Sequence, residues 1–156
     1  MDQATLAALG KAGGAAALGL AAVGSSLGTG TAGMAAIGAW KKCYAQSKAA
    51  PFILLVFIGA PLSQTIYGMI LMNAIVRACN AGDVANWASM LGAGIFGGFG
   101  IGASAWFQGK AGAAGSDALA ETGQGFGNYL MTLGVVETVA LFVMVFVQAV
   151  FKVAAG

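Results

Sequence analysis

The sequence contains no histidine and only two cysteines, and charged residues make up 8% of its 156 residues. A zinc-type site takes several His and Cys ligands, so that class of metal site is excluded. The net charge is only +2, and the charged residues are scattered between apolar runs. This distribution excludes a nucleic-acid-binding protein. The remaining composition, with 59% hydrophobic residues, is typical of an integral membrane protein.

Four long apolar runs divide the sequence, and each meets the need for about 20 residues per membrane-spanning helix. None alternates with a period of two, and in lipid only helices and closed barrels satisfy the backbone hydrogen bonds. The sequence therefore predicts an all-α membrane protein with four transmembrane helices, at roughly 12–40, 52–76, 86–121 and 126–151.

These helices form two tandem hairpins, at 1–80 and 81–156. A cleaved signal peptide is the alternative for residues 1–30, but the segment has no leucine-rich core and continues into a run that itself spans.

Lysine and arginine near the helix ends predict the orientation in the cell membrane. The first connection carries Lys41, Lys42 and Lys48, whereas the second carries Arg77 balanced by Asp83. Because positively charged loops stay in the cytoplasm, the first connection is predicted to be cytoplasmic. Both termini are then non-cytoplasmic.

Glycine is abundant, with 26 residues concentrated in the first and third helices. Small residues at spacings of about four allow membrane helices to approach closely, which suits a crowded inner layer. The second and fourth helices are rich in Phe, Ile, Leu, Val and Met, which suits an outer, lipid-facing layer.

Glu137 lies near the middle of the apolar run 129–147. An ionised group at the centre of a membrane helix costs about 3 kcal/mol or more on insertion scales, so such residues are rare and face a partner, a cavity or an ion. We therefore predict that Glu137 is a functional residue rather than a tolerated buried acid.

The second helix contains a cluster of polar side chains around a proline. Pro61 removes one backbone donor and should disturb the helix at membrane depth, leaving carbonyl oxygen in need of a partner. Ser63, Gln64 and Tyr67 add oxygen atoms within about one turn, on adjoining positions of one face. The alternative is a kinked helix whose polar groups only hold helices together, but a further lone Gln108 in the third helix makes this less favoured.

The two halves resemble each other weakly, as in a duplicated hairpin. In the third helix Gln108 can be aligned with Leu27 of the first, and Gly109 with Gly28. Likewise Glu137 falls opposite Leu62, so only the second copy keeps its acid.

Together these residues resemble the membrane-ring proteolipid (K or c-type) subunit of V-type and A/V-type rotary ATPases, and specifically its sodium-translocating members. The resemblance covers essentially the whole chain. It comprises the duplicated four-helix architecture and three motifs, Pro61-Leu-Ser-Gln64-Thr-Ile-Tyr67-Gly68, Gln108-Gly-Lys110 and Val136-Glu137-Thr138.

The resemblance implies a closed homo-oligomeric ring and an ion site on every copy. Glu137 would be the essential carboxylate, and the other Na⁺ ligands would be two amide oxygens, a hydroxyl and a backbone carbonyl. Tyr67 would hydrogen-bond the carboxylate, with Pro61 and Thr138 in support. The chain departs from the family pattern by Ser63 where Thr is usual and by Leu62 where Gly is common. The implied oxygen ligands besides Glu137 are Gln64, Gln108, Ser63 and Ala60.

Sodium is favoured over a proton because Na⁺ is a hard cation that needs several oxygen ligands, whereas a proton needs only the carboxyl group. An H⁺-carrying form of the same ring protein is therefore the alternative. A small four-helix multidrug or cation exporter is less favoured, because such exporters place their acid in the first helix. A purely structural tetraspan protein would leave Glu137, Gln64 and Gln108 unexplained.

The resemblance also implies partners: identical copies in the ring, a stator subunit with an essential Arg, central-stalk subunits at the cytoplasmic loops, and the lipid bilayer. The chain would not be an enzyme by itself and would bind no nucleotide.

We further expect the third helix to continue to about residue 121 and project beyond the bilayer, because hydropathy alone centres its span well before Gln108. Lys110 should point away from the ion.

Overall fold

A computed structural model describes residues 1–151 of the chain. Over these residues the structure contains four helices long and apolar enough to cross a membrane, and it has no β-strand. The all-α prediction is therefore confirmed. The helices are α1 (Gln3–Ala45), α2 (Phe52–Asn80), α3 (Trp87–Thr122) and α4 (Phe126–Val150).

Helix α1 begins earlier than the hydropathy of the sequence predicts, at Gln3 instead of near residue 12. Asp2 provides the N-terminal cap, because its carboxylate accepts a hydrogen bond from the Thr5 backbone N–H at 2.7 Å. The same bond holds the pKa of the Asp2 carboxyl below its ordinary value. A cap residue followed by helix-forming alanine and leucine extends the helix beyond its most apolar part.

Helix α2 is interrupted where the sequence places Pro61. A 3₁₀ turn over Ala60–Leu62 separates the short α-helical segment Leu55–Gly59 from the long segment Ser63–Asn80. Proline has no backbone N–H, so the α-helical bond to the carbonyl four residues earlier cannot form and the chain tightens locally. The predicted disturbance at Pro61 is therefore confirmed.

Helices α1 and α3 form an inner layer in which backbone contacts backbone. The contacts run in parallel along both helices, from Gly13 against Gly94 to Gly28 against Gly109. A Cβ atom added to Gly109 would overlap the Gly28 backbone, so only glycine allows this approach. The predicted role of glycine in close helix packing is confirmed.

Helices α2 and α4 form the outer layer. Leu133 and Ala140 are the buried residues of the α-helical part of α4, and many of its exposed side chains are large and apolar. Met131 and Phe146 are 72% and 67% exposed, as expected for residues that face lipid or another copy of the chain.

Helix α3 continues through its Ala/Gly stretch to Thr122, as predicted. It ends at Gly123, which has a φ of 67° and closes the helix in the left-handed conformation. Close to this end Lys42 of α1 pairs with Asp117 at 2.6 Å and with Glu121 at 3.4 Å. The ion pairs hold the ends of the two inner helices together.

The alignment of the first helix with the third is wrong in register. A Cβ added to Gly109 would meet the Gly28 backbone, and one added to Gly28 would meet the Ala105 carbonyl, so both glycines point into the α1–α3 contact. If a rotation relates the two hairpins, equivalent residues of α1 and α3 point in the same direction. Two equivalent residues therefore cannot both point into the contact between α1 and α3. Leu27 is 49% exposed whereas Gln108 is fully buried, and the buried polar side chain of α1 two residues before Leu27 is Ser25.

Candidate ion-binding site

Glu137 is half-buried on α4, at the junction of α4 with α2 and α3. The Tyr67 hydroxyl of α2 donates a hydrogen bond to its Oε1 at 2.6 Å. The Gln108 Nε2 of α3 donates to its Oε2 at 3.2 Å. Both carboxylate oxygens therefore have a donor from a different helix, and the hydrogen bond predicted from Tyr67 is present.

The two glutamines lie side by side in the interior. Gln64 and Gln108 are both 0% exposed, and Gln64 Nε2 donates to Gln108 Oε1 at 2.7 Å. Gln108 Nε2 also donates to the Leu133 carbonyl at 3.0 Å. Burying an amide without partners is costly, and here the Gln108 amide has partners on both its oxygen and its nitrogen.

Ser63 and Ala60 extend the cluster along α2. The Ser63 hydroxyl lies 3.1 Å from the Ala60 carbonyl oxygen and 3.1 Å from Gln64 Oε1. A hydroxyl has one hydrogen, so these two acceptors share or alternate it. The 3₁₀ turn at Pro61 places the Ala60 carbonyl next to the Ser63 side chain, and so brings a backbone oxygen to the edge of the cluster.

One residue of the predicted set is not brought into this network. Thr138 is exposed, and its hydroxyl donates to the Val135 carbonyl of its own helix at 2.7 Å. Among residues 1–151, its hydroxyl therefore makes no hydrogen bond to the carboxylate.

Sequence reasoning missed Ser104. This residue of α3 is 5% exposed, and its hydroxyl donates to the Val136 carbonyl, immediately before Glu137, at 2.9 Å. The spacing of four residues from Ser104 to Gln108 was an available signal, because residues four apart share a helix face. Its acceptor is a backbone atom of another helix, which no side-chain pattern reveals.

Lys110 points away from the cluster, as predicted. It is exposed, and its Nζ lies 4.3 Å from the ring centroid of Trp106 and 5.1 Å from that of Phe107. A cation over an aromatic face is stabilised by the ring electrons. Its charge is therefore held on the exposed side of α3 and does not face Glu137.

The cluster brings together one carboxylate, two amide oxygens, one hydroxyl and one backbone carbonyl. No group of three or more His, Cys, Asp and Glu side chains comes together within residues 1–151. Oxygen ligands suit hard cations, and a single carboxylate neutralises a single positive charge. The chemistry of the cluster fits a monovalent cation, or a proton held on Glu137.

The fold and the cluster define a class: a multi-pass α-helical membrane protein in which donors from two other helices hold a carboxylate. Residues 91–147, which include Gln108 and Glu137, match the family model of the ATP synthase C subunit. The match supports a c-type proteolipid of a rotary ATPase. No curated protein matched the chain.

The matched family is an ion-translocating membrane subunit that is not catalytic by itself. Its members form a ring with other copies and pair with an a-type stator. The match therefore supports a rotor-ring, ion-translocating kind of subunit, and the four apolar helices support a multi-pass integral membrane protein.

Proposed function

We propose that this chain is the rotor-ring subunit of the membrane sector of a V-type ATPase and carries Na⁺ across the cell membrane as the ring rotates during ATP hydrolysis. One observation carries the proposal: the buried Gln108 donates to Glu137 and accepts from the buried Gln64. Ser63 and the Ala60 carbonyl lie beside Gln64.

The pair of amides favours sodium over a proton. A proton carrier needs a carboxyl group, and an apolar side chain in place of each glutamine would serve it at lower cost. Sodium needs several oxygen ligands, and Gln64 and Gln108 each carry an amide oxygen that would supply one of them. The proton remains the alternative outcome of the test.

Charge neutrality is the basis of the mechanism. A sodium ion on Glu137 cancels the one negative charge, so that an occupied copy can move past lipid at low cost. Once the ion leaves, the carboxylate needs a positive partner, and an Arg of the stator subunit would supply it. Release and reloading would then take place only where the ring faces the stator.

The V-type assignment rests on the distribution of acids over the four helices. The chain has two hairpins, and position 62, which the sequence aligns with Glu137, is an exposed Leu in α2. One carboxylate for four helices is the arrangement of the family that the sequence resembles. Both termini would be non-cytoplasmic, and the central stalk would contact the end of the ring that carries Lys41, Lys42 and Lys48.

Carbodiimide labelling tests the choice of ion on the assembled ring. The reagent modifies a protonated carboxyl group, so bound sodium should slow the labelling of Glu137. Protection should strengthen as pH rises, because proton and sodium compete for one carboxylate.

Replacement of both Gln64 and Gln108 by Leu should raise the sodium concentration for half-protection at least about tenfold, equivalent to about 1.4 kcal/mol. Gln148→Leu is the matched control, because this half-buried glutamine donates to Met144 of its own helix. Labelling that is indifferent to sodium in the unmodified ring would assign the proton instead.

A further inference from the structure

Two hydrogen bonds attach α3 to the backbone of α4 next to Glu137. Ser104 Oγ donates to the Val136 carbonyl at 2.9 Å, and Gln108 Nε2 donates to the Leu133 carbonyl at 3.0 Å. The two donors are four residues apart on one face of α3, and the two acceptors are three residues apart on α4. Glu137 directly follows the first acceptor and lies one turn beyond the second.

The Ser104 hydroxyl bonds outside its own helix. Serine and threonine hydroxyls inside helices commonly donate to the carbonyl four residues earlier, as Ser26 and Thr31 do in α1 at 2.9 Å and 2.7 Å. Ser104 is 5% exposed and reaches across to α4. A bond of this kind holds the rotation and the height of α4 relative to α3, which an apolar contact alone leaves freer.

The contacts of Glu137 are sensitive to that rotation. Tyr67 donates to the carboxylate at 2.6 Å, a short hydrogen bond, whereas the Gln108 bond of 3.2 Å is at the long end of the usual range. The Gln108 amide nitrogen also donates a hydrogen bond to the Leu133 carbonyl. An outward turn of α4 would therefore break the Gln108 contact first.

We propose that Ser104 is a positioning residue for the ion site, which acts by fixing the rotation of α4 so that Glu137 meets Tyr67 and Gln108 together. The inference rests on the proposed function in that it concerns the same carboxylate, but it holds for either carried ion. Ser104 itself does not touch the carboxylate: its hydrogen bond ends on the Val136 carbonyl.

The test compares Ser104→Ala with Ser116→Ala in the assembled ring. Ser116 is the matched control, because it lies on the same helix, is 0% exposed, and its hydroxyl has no hydrogen-bond partner within residues 1–151. Ser104→Ala should raise the sodium concentration that half-protects Glu137 from carbodiimide by about threefold to tenfold, in line with hydrogen bonds between membrane helices. Ser116→Ala should leave it unchanged, and Ser104→Thr should restore the unmodified value.

A second readout does not depend on the carried ion. The infrared band of the Glu137 carboxyl group, assigned by its loss in Glu137→Gln, should shift toward weaker hydrogen bonding in Ser104→Ala and not in Ser116→Ala. If sodium fails to protect the unmodified ring, the sodium function fails, and this band still tests Ser104.

Two results would overturn the positioning role. One is an unchanged infrared band in Ser104→Ala, and the other is an equal loss of protection in Ser104→Ala and Ser116→Ala. If the alanine ring cannot be isolated, Ser104→Cys keeps the size of the side chain with only a weak donor. Protection and a carboxyl band identical to those of the unmodified ring would then count against the proposal.

Discussion

The two hairpins have the same outline but contribute different parts of the proposed ion site. The α1–α2 hairpin supplies Tyr67, Gln64 and neighbouring oxygens from a helix broken at Pro61. The α3–α4 hairpin supplies Gln108 and the carboxylate of Glu137, and its α4 is α-helical without a break from Phe126 to Phe146. Because one side-chain donor to Glu137 comes from the first hairpin, Tyr67, and the other from the second, Gln108, neither hairpin holds the complete cluster without the other.

The two hairpins also differ at position 62, which the sequence aligns with Glu137. Leu62 is 54% exposed on α2, while Gln64, two residues further on, is fully buried against α3. The first hairpin thus contributes neutral polar groups to the cluster around Glu137. A site that crosses two hairpins depends on their packing as much as on its own residues.

The largest effect should come from the carboxylate that distinguishes the hairpins. Glu137→Gln keeps the shape of the side chain but removes the charge that neutralises the cation, so ion transport by the reconstituted complex should be abolished while the ring still assembles. The matched change in the first hairpin, Leu62→Gln, should leave transport largely intact. Sodium uptake that persists in Glu137→Gln would refute the role of Glu137.

The next largest effect should come from the contact between the inner helices. Gly109→Ala places a Cβ atom against the Gly28 backbone, so α1 and α3 must separate, and overpacking of this kind costs about 1–3 kcal/mol. The yield of rings that resist dissociation in detergent should fall. Gly38→Ala is the control, since no other group of the chain lies within 4 Å of its added Cβ. Equal yields from the two variants would show that the close approach is not needed.

The smallest effect should come from the Tyr67 hydroxyl, which links the first hairpin to Glu137 of the second. Tyr67→Phe removes one donor to Glu137 and keeps the ring in place, at a cost of about 1 kcal/mol for one hydrogen bond. The sodium concentration for half-protection of Glu137 should therefore rise by about fivefold. Tyr44→Phe, at an exposed tyrosine on α1, should change nothing. An unaltered value in Tyr67→Phe would mean that Gln108 alone orients the carboxylate.

Much of the fold and of the site could be predicted because the signals are local. Apolar runs longer than a bilayer is thick predict helices without any tertiary knowledge, and lone polar residues such as Glu137 and Gln108 are conspicuous in such runs. Pro61 likewise disturbs the helical turn in which it lies. In each case the physical cause lies within a few residues of the effect.

The parts that could not be predicted depend on rotation about a helix axis. Aligning Leu27 with Gln108 matched neighbouring glycines, but a shift of two residues turns a side chain by about 200° at 100° per residue, from the interior to the surface. The partner of Ser104 is a backbone carbonyl, which every residue possesses. Neither feature can be recognised in the amino-acid sequence.

The glycine contact between α1 and α3 has a mechanical consequence. The backbones of α1 and α3 touch over several turns, and Lys42 pairs with Asp117 near one end of the two helices. Such helices twist and slide less readily than helices separated by long side chains. In the proposed ring this would give each copy low torsional compliance. A force applied to the carboxylate of one copy would reach the inner helices of that copy with little elastic delay.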